Sequence, residues 1–536
     1  MRLLYSGYGR RRAIRLWVPA AVIGVLSIIA AQLSWVWVNR DRPIAEQAGR
    51  VAEMGELDTA ERLYWQILRS HPADLESWIR FIDVHAALQR VGDDPGSEAG
   101  DVIKASLSEG EIQGQLARIG NAEVSTLASY WYEMAADAKK ADPAMVTALA
   151  DKQPPTPLAN YLLGRTAVEN EDWAMAARRF EREGLAFPTK KGQRLLRLAM
   201  SLWIEHNAWG EVRKRAHDPR YASVQDASFR LELATHDRDW PAILLWCWPA
   251  GYVRTEAWPV VLALLAAVLW FTIAARLGRI GDPAPGRPLL YVAAFLLGIA
   301  SIYPTLLAIT IEDGIFGFRL VQQPIPDAIY FVFGVGLREE LCKLLLFLPL
   351  LPMLKRRGSR IEAMTCGALV GLGFAAEENI SYFHMAAGAA LARFLTANFL
   401  HMSLTALVAL SVYDASRGRS TPRDRFDVMF PLAVGIHGAY DFFLSSNEVA
   451  GFSLLSMMLF IIVSRQFLRQ LLIASSAEEE QGALRLLITS MFLLTGVSYV
   501  YATTLAGPLV AVRLIALGAL GVAIVIFMFV RELGPA

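Results

Sequence analysis

The sequence predicts an all-α, polytopic membrane protein of about ten spans with a soluble helical domain inserted near its start, and three observations predict it. Hydrophobic residues make up 54% and charged residues 19% of the 536 positions, too apolar for an ordinary soluble chain and too charged for a bare bundle of spans. Apolar runs of spanning length begin at Leu16 and resume at Trp258, each long enough for a helix of about 20 residues to cross the hydrocarbon layer. Between them, residues 41–254 are charged, tryptophan-rich and helical in period.

Taken in order, residues 1–16 hold five arginines (Arg2, Arg10, Arg11, Arg12, Arg15) and no acid, ahead of the apolar run Leu16–Val38. That run is longer than a signal-peptide core and no small-residue cleavage site follows, so residues 1–40 read as a basic cytoplasmic segment with a retained anchor. In residues 41–254, Ala60, Tyr64 and Pro72 stand at the offsets of the second helix of a tetratricopeptide repeat, and Trp78 where the next repeat places its tryptophan. Leu163, Gly164, Ala176, Phe180 and Pro188 repeat the pattern more fully. The stretches 92–100 and 151–157 are loops by their glycine, proline and aspartate content. A tetratricopeptide-like domain of this kind presents a concave surface to a protein partner, the alternative being a helical spacer with no ligand.

Further spans are expected near 257–275, 289–311, 327–353, 362–385, 389–413, 428–446, 450–472, 485–504 and 508–530. They divide into a core at 255–446 and additional C-terminal spans at 447–536. Basic residues cluster in alternate connections: Arg276/Arg279/Arg287, Lys355/Arg356/Arg357/Arg360, Arg417/Arg419/Arg423/Arg425 and Arg465/Arg469/Arg485. The positive-inside bias then places both termini in the cytoplasm and residues 41–254 outside, in a multi-pass protein of the inner (plasma) membrane. A net charge of +1 and the absence of a basic stripe with interleaved aromatics exclude a nucleic-acid partner. Cys247, Cys342 and Cys366 form no C-x-x-C, which argues against a disulfide framework or a thiolate metal site.

The chemistry lies where charge interrupts the apolar spans. Arg338, Glu339, Glu340 and Lys343 sit inside FVFGVGLREELCKLLLFLPL, although each charge at mid-membrane costs roughly 2.5–3.5 kcal/mol. Glu339 and Lys343 are four apart, as are Phe374 and Glu378, and His437 and Asp441. Each pair shares one face of a helix, so three spans can turn polar edges to a common point. His401, with Ser403 and Thr405 nearby, offers a fourth edge, and Gly334, Gly336, Gly371, Gly373, Gly435 and Gly438 allow close packing. Three chemistries suit such a set. A carboxylate pair with an imidazole can move protons in peptide hydrolysis. Glutamates and histidines can ligate zinc, although no histidine is followed by glutamate and H-E-x-x-H is absent. Buried acids can also relay protons or ions, but no inverted repeat supports a transporter.

Glu339-Glu340-x-x-Lys343, Phe374-x-x-x-Glu378-Asn379, His401 and His437-x-x-x-Asp441 together resemble the PrsW family of intramembrane proteases, within the wider Abi group that includes the CAAX endopeptidases. The resemblance spans roughly residues 290–445. It implies an endopeptidase of glutamic type acting on a membrane-anchored, anti-sigma-factor-like protein, with no cofactor required and a zinc-dependent variant left open. It implies Glu339 as general base on water with Glu340 its essential neighbour, Glu378 as a second carboxylate on that water, and His437 as oxyanion donor. Lys343 would neutralise Glu340; Asp441 could act only protonated or through His437; the role of His401 is not assigned. Glu377 reads as a structural neighbour of Glu378, and His71, His85, His206, His217, His236 and His384 as packing or surface residues. Tyr440-Asp441 is similar to the Y-D of presenilin-type proteases, but their G-x-G-D is missing, as is the G-x-S-G of rhomboids. The competing reading is a membrane scaffold or proton relay that recruits partners through its repeats.

Overall fold

A computed structural model describes residues 7–40, 42–53, 55–92, 107–136, 141–252, 257–278, 288–385, 387–422, 424–472 and 477–533. The loop expected at 92–100 (beyond Gly92), Arg279, Arg287 and Arg423 lie outside them, as do Arg2 and the side chains of the other N-terminal arginines and of His384. Among the described residues every regular element is helical. The chain divides into two compact units, one of Met1–Ser34, Ala227–Thr503 and Pro508–Ala536, the other of Trp35–Asp226 and Thr504–Gly507.

The smaller unit is built from short amphipathic helices that pair as antiparallel hairpins, such as Leu57–Ser70 with Leu75–Gly92 and Ala159–Glu169 with Trp173–Ala186. Asp172 and Thr189 cap the helices that follow them by accepting from the backbone N–H groups of Met175 and Gly192. A Cβ on Gly164 would lie 2.6 Å from the Phe180 ring, so glycine there is what lets the two helices close. Ala60, Tyr64, Trp78, Ala176 and Phe180 are all buried, and Trp78 Nε1 donates to the Pro72 carbonyl at 2.8 Å. Burial raises the pKa of the Glu183 carboxyl, which accepts from the Leu158 N–H at 2.6 Å.

The larger unit carries the apolar helices. Among the described residues, seven are long and apolar enough to cross a membrane, and eight if the bent pair Pro508–Ala516 and Ala519–Arg531 is one span. The expected spans at 327–353 and 362–385 are helical but are not among them, because the charges that make them interesting lower their hydropathy. Helices Ala227–Asp237 and Trp240–Ala250, soluble by charge pattern, belong to this unit, where Tyr303 OH donates to the Leu244 carbonyl at 2.8 Å.

Helix Ala387–Ser416 (the His401 helix) is central. Its fully buried Phe399 stacks on Trp270 at 5.2 Å and meets Phe460 and Phe467 from one further helix and Phe529 from another. Helix Arg360–Met385 (the Glu378 helix) lies along it so closely that a Cβ on Gly371 would collide with the His401 carbonyl. The same helix meets Pro288–Ala300 through Gly373, whose Cβ would strike the Phe295 carbonyl. Gly435, expected at such a seam, faces open space.

Candidate active site

Four helical segments set the site. The Glu339 helix, Arg338–Phe347, follows directly on a π-helical stretch, Tyr330–Leu337, a local widening that recurs at functional sites. Gly336 in that stretch and Gly438 in the His437 helix, Phe426–Ser445, remove the side chains that would hold the two elements apart. The Glu378 and His401 helices complete the ring.

Lys343 is the hub. Fully buried, its Nζ lies 3.3 Å from Glu339 Oε2, 3.0 Å from Glu340 Oε1 and 2.9 Å from His401 Nδ1. Three donors meet three acceptors, and the Phe374 ring covers the remaining side with its centroid 4.0 Å from Nζ. An ammonium can only donate, so His401 Nδ1 accepts and the ring proton sits on Nε2. That nitrogen lies 3.0 Å from Glu378 Oε2, within ion-pairing distance.

His437 is arranged from the other side. Its Nδ1 donates to Glu340 Oε1 at 2.9 Å, which leaves Nε2 facing Glu339 Oε2 at 3.5 Å and Asp441 Oδ2 at 3.3 Å. No well-formed hydrogen bond reaches that buried Nε2. The imidazoles of His401 and His437 are edge to face, 4.9 Å between centroids. Thr405 Oγ1, 3.5 Å from Glu340 Oε2, adds a further donor. Glu340 is thus bonded to Lys343, His437 and Thr405, a carboxylate that orients a histidine. Glu339, Glu340, Lys343, His401 and His437 are all at most 8% exposed, and Glu378 and Asp441 only partly so, at 15% and 13% for their side chains.

Of the residues singled out in the sequence, Glu339, Glu340, Lys343, Phe374, Glu378, His401, His437 and Asp441 form one connected cluster. Asn379 does not join it; its Nδ2 donates to Asn398 Oδ1 at 2.9 Å. Lys343, expected to neutralise Glu340, is shared with Glu339 and His401. Arg338 turns away and pairs with Glu312. Asn398 was not legible as a partner, although an amide three positions before His401 in an apolar span is the signal that could have found it.

Glu339, His401 and His437 each offer a ligand atom, all within 4.8 Å of one another. Two imidazoles and a carboxylate are a donor set that zinc accepts, and the unsatisfied His437 Nε2 fits a ligand's role. His401 could join only by releasing Glu378 or Lys343, which hold its two nitrogens. No curated protein and no solved structure matches the chain. Residues 286–465, which contain the whole cluster, match the family model of the PrsW family intramembrane metalloproteases, and this part of the chain is similar to that family.

Proposed function

We propose that the membrane unit is an endopeptidase that hydrolyses a peptide bond in or beside the membrane segment of an anchored, anti-sigma-factor-like protein. The observation that carries this reading is the juxtaposition of Glu339 Oε2 and His437 Nε2 at 3.5 Å, both buried and both steadied by the Lys343–Glu340 pair. Glu339 takes a proton from water as the water oxygen bonds to the scissile carbonyl carbon. The carbonyl becomes an oxyanion and accepts from His437 Nε2–H, provided that the ring carries both protons. Glu339 then returns its proton to the amide nitrogen, the C–N bond breaks, and an acid and an amine leave. Glu378 and Asp441, the less buried carboxylates, face the same space and order the water.

The protonation of His437 Nε2 separates two routes. A protonated Nε2 is the oxyanion donor just described, and a bare Nε2 is a metal ligand. A zinc ion held by Glu339, His401 and His437 would lower the pKa of bound water and polarise the carbonyl. The protein is read as an inner-membrane, multi-pass chain with both termini cytoplasmic. Its tetratricopeptide-like smaller unit would lie outside and capture the outer portion of the substrate.

Glu339→Gln, Glu378→Gln and His437→Ala should each abolish cleavage while the protein inserts at wild-type level. Comparing membrane proteomes of wild-type and Glu339→Gln cells should reveal a single-span protein that accumulates uncleaved. Identical proteomes, with all three variants fully functional, would remove the protease reading in favour of a scaffold or proton relay.

A further inference from the structure

Glu378 and His401 meet across two different helices, 3.0 Å apart, and nothing in that contact fixes how far one helix slides along the other. Glu378 is followed at once by Asn379, and Asn398 stands three positions before His401, one turn earlier on the same face. The two amides meet: Asn379 Nδ2 donates to Asn398 Oδ1 at 2.9 Å, and both side chains are at most 2% exposed. The helices touch backbone to backbone about two and three turns along from this bond. A Cβ on Gly371 would collide with the His401 carbonyl, and one on Gly367 would lie 2.8 Å from the Thr405 carbonyl. Glycine faces are smooth, so they hold the helices close without fixing their axial register. A slip by one residue moves a helix about 1.5 Å, enough to part His401 Nε2 from Glu378 Oε2, now 3.0 Å apart.

We propose that Asn398, bonded to Asn379, is a positioning residue that locks the axial register of the two helices and so holds His401 against Glu378. This rests on the protease reading above. A buried amide pair is directional: it forms at one register only, and in hydrocarbon the freed groups find no water to replace it. The alternative is that the pair merely adds adhesion between two helices already held by their glycine seam.

The test uses the full chain reconstituted in liposomes, with the protein identified by the proteome comparison as substrate. Three variants are compared with wild type. Asn398→Leu removes the acceptor, Asn379→Asp replaces the donor by a second acceptor, and Asn398→Asp keeps an acceptor oxygen in place. Misplacement by about 1 Å at a reacting centre costs up to about 100-fold. Asn398→Leu and Asn379→Asp should therefore lose about 10- to 100-fold in kcat with KM unchanged, while Asn398→Asp stays within about 5-fold of wild type. Wild-type kcat in Asn398→Leu, or an equal loss in all three variants, overturns the proposal. If Asn398→Leu fails to insert, the contrast between Asn379→Asp and Asn398→Asp decides alone. Wild-type cleavage by Glu339→Gln would show instead that the protease reading itself has failed.

Discussion

Replacing Lys343 by methionine keeps most of the apolar stem of the side chain and deletes its charge. The ammonium lies 3.0 Å from Glu340 Oε1 and 3.3 Å from Glu339 Oε2, and at an effective dielectric of about 20 each attraction is worth about 5 kcal/mol before any cost of burial. Burying the ammonium offsets most of that gain, so the pairs contribute little relative to a well-packed apolar replacement of the whole cluster. Removing one member is different, because two buried carboxylates and the His401 nitrogen then lose their donor. The loss of a partner from a buried pair costs about 3–5 kcal/mol, and the contact with the Phe374 ring goes with it. Lys343→Met should therefore destabilise the membrane unit by about 3–5 kcal/mol in denaturant unfolding in detergent. The double variant Lys343→Met/Glu340→Gln should recover part of this, with a coupling of about 1–3 kcal/mol. Lys343→Arg should not restore the wild type, since a planar guanidinium cannot put three donors from one nitrogen onto three partners. A Lys343→Met protein as stable as wild type, with no coupling to Glu340, would refute the hub.

Two further outcomes follow from the geometry. If a metal occupies the Glu339, His401 and His437 cluster, chelation should stop cleavage and zinc should restore it, and His437→Ala protein should retain less metal by mass spectrometry after purification; a glutamic route predicts indifference to chelator and no bound metal. Replacing residues 44–226 by a flexible linker, which leaves the two helices between 227 and 250 with the unit they pack in, should slow cleavage of the natural substrate and spare a short model peptide; equal loss on both would end the idea that the smaller unit captures substrate.

Much of the site was legible because a charge in an apolar run is expensive, so each such residue announces itself. Spacings of four residues then placed Glu339 with Lys343, Phe374 with Glu378 and His437 with Asp441 on shared faces. The same spacing rule could not say which nitrogen of His401 or His437 meets what, because a tautomer depends on partners on other helices, such as Glu378, Lys343 and Glu340. Nor could it separate Asn379 from the cluster, since facing the site and facing a neighbouring helix differ by only one position along the chain. Gly371 and Gly435 read alike in sequence, yet one sits under a carbonyl and the other faces open space.

By itself, the sequence determined that the chain is helical, that it enters the membrane many times, and which side chains are too polar to face lipid. These follow from composition and period, which are local quantities. The tertiary structure alone decided that Lys343 serves three partners, that Glu340 meets one nitrogen of His437 while Glu339 faces the other, and that an Asn379–Asn398 bond joins two helices. Those outcomes depend on rotation and register between helices, and a hydrophobic pattern limits the first only to a broad face and leaves the second free.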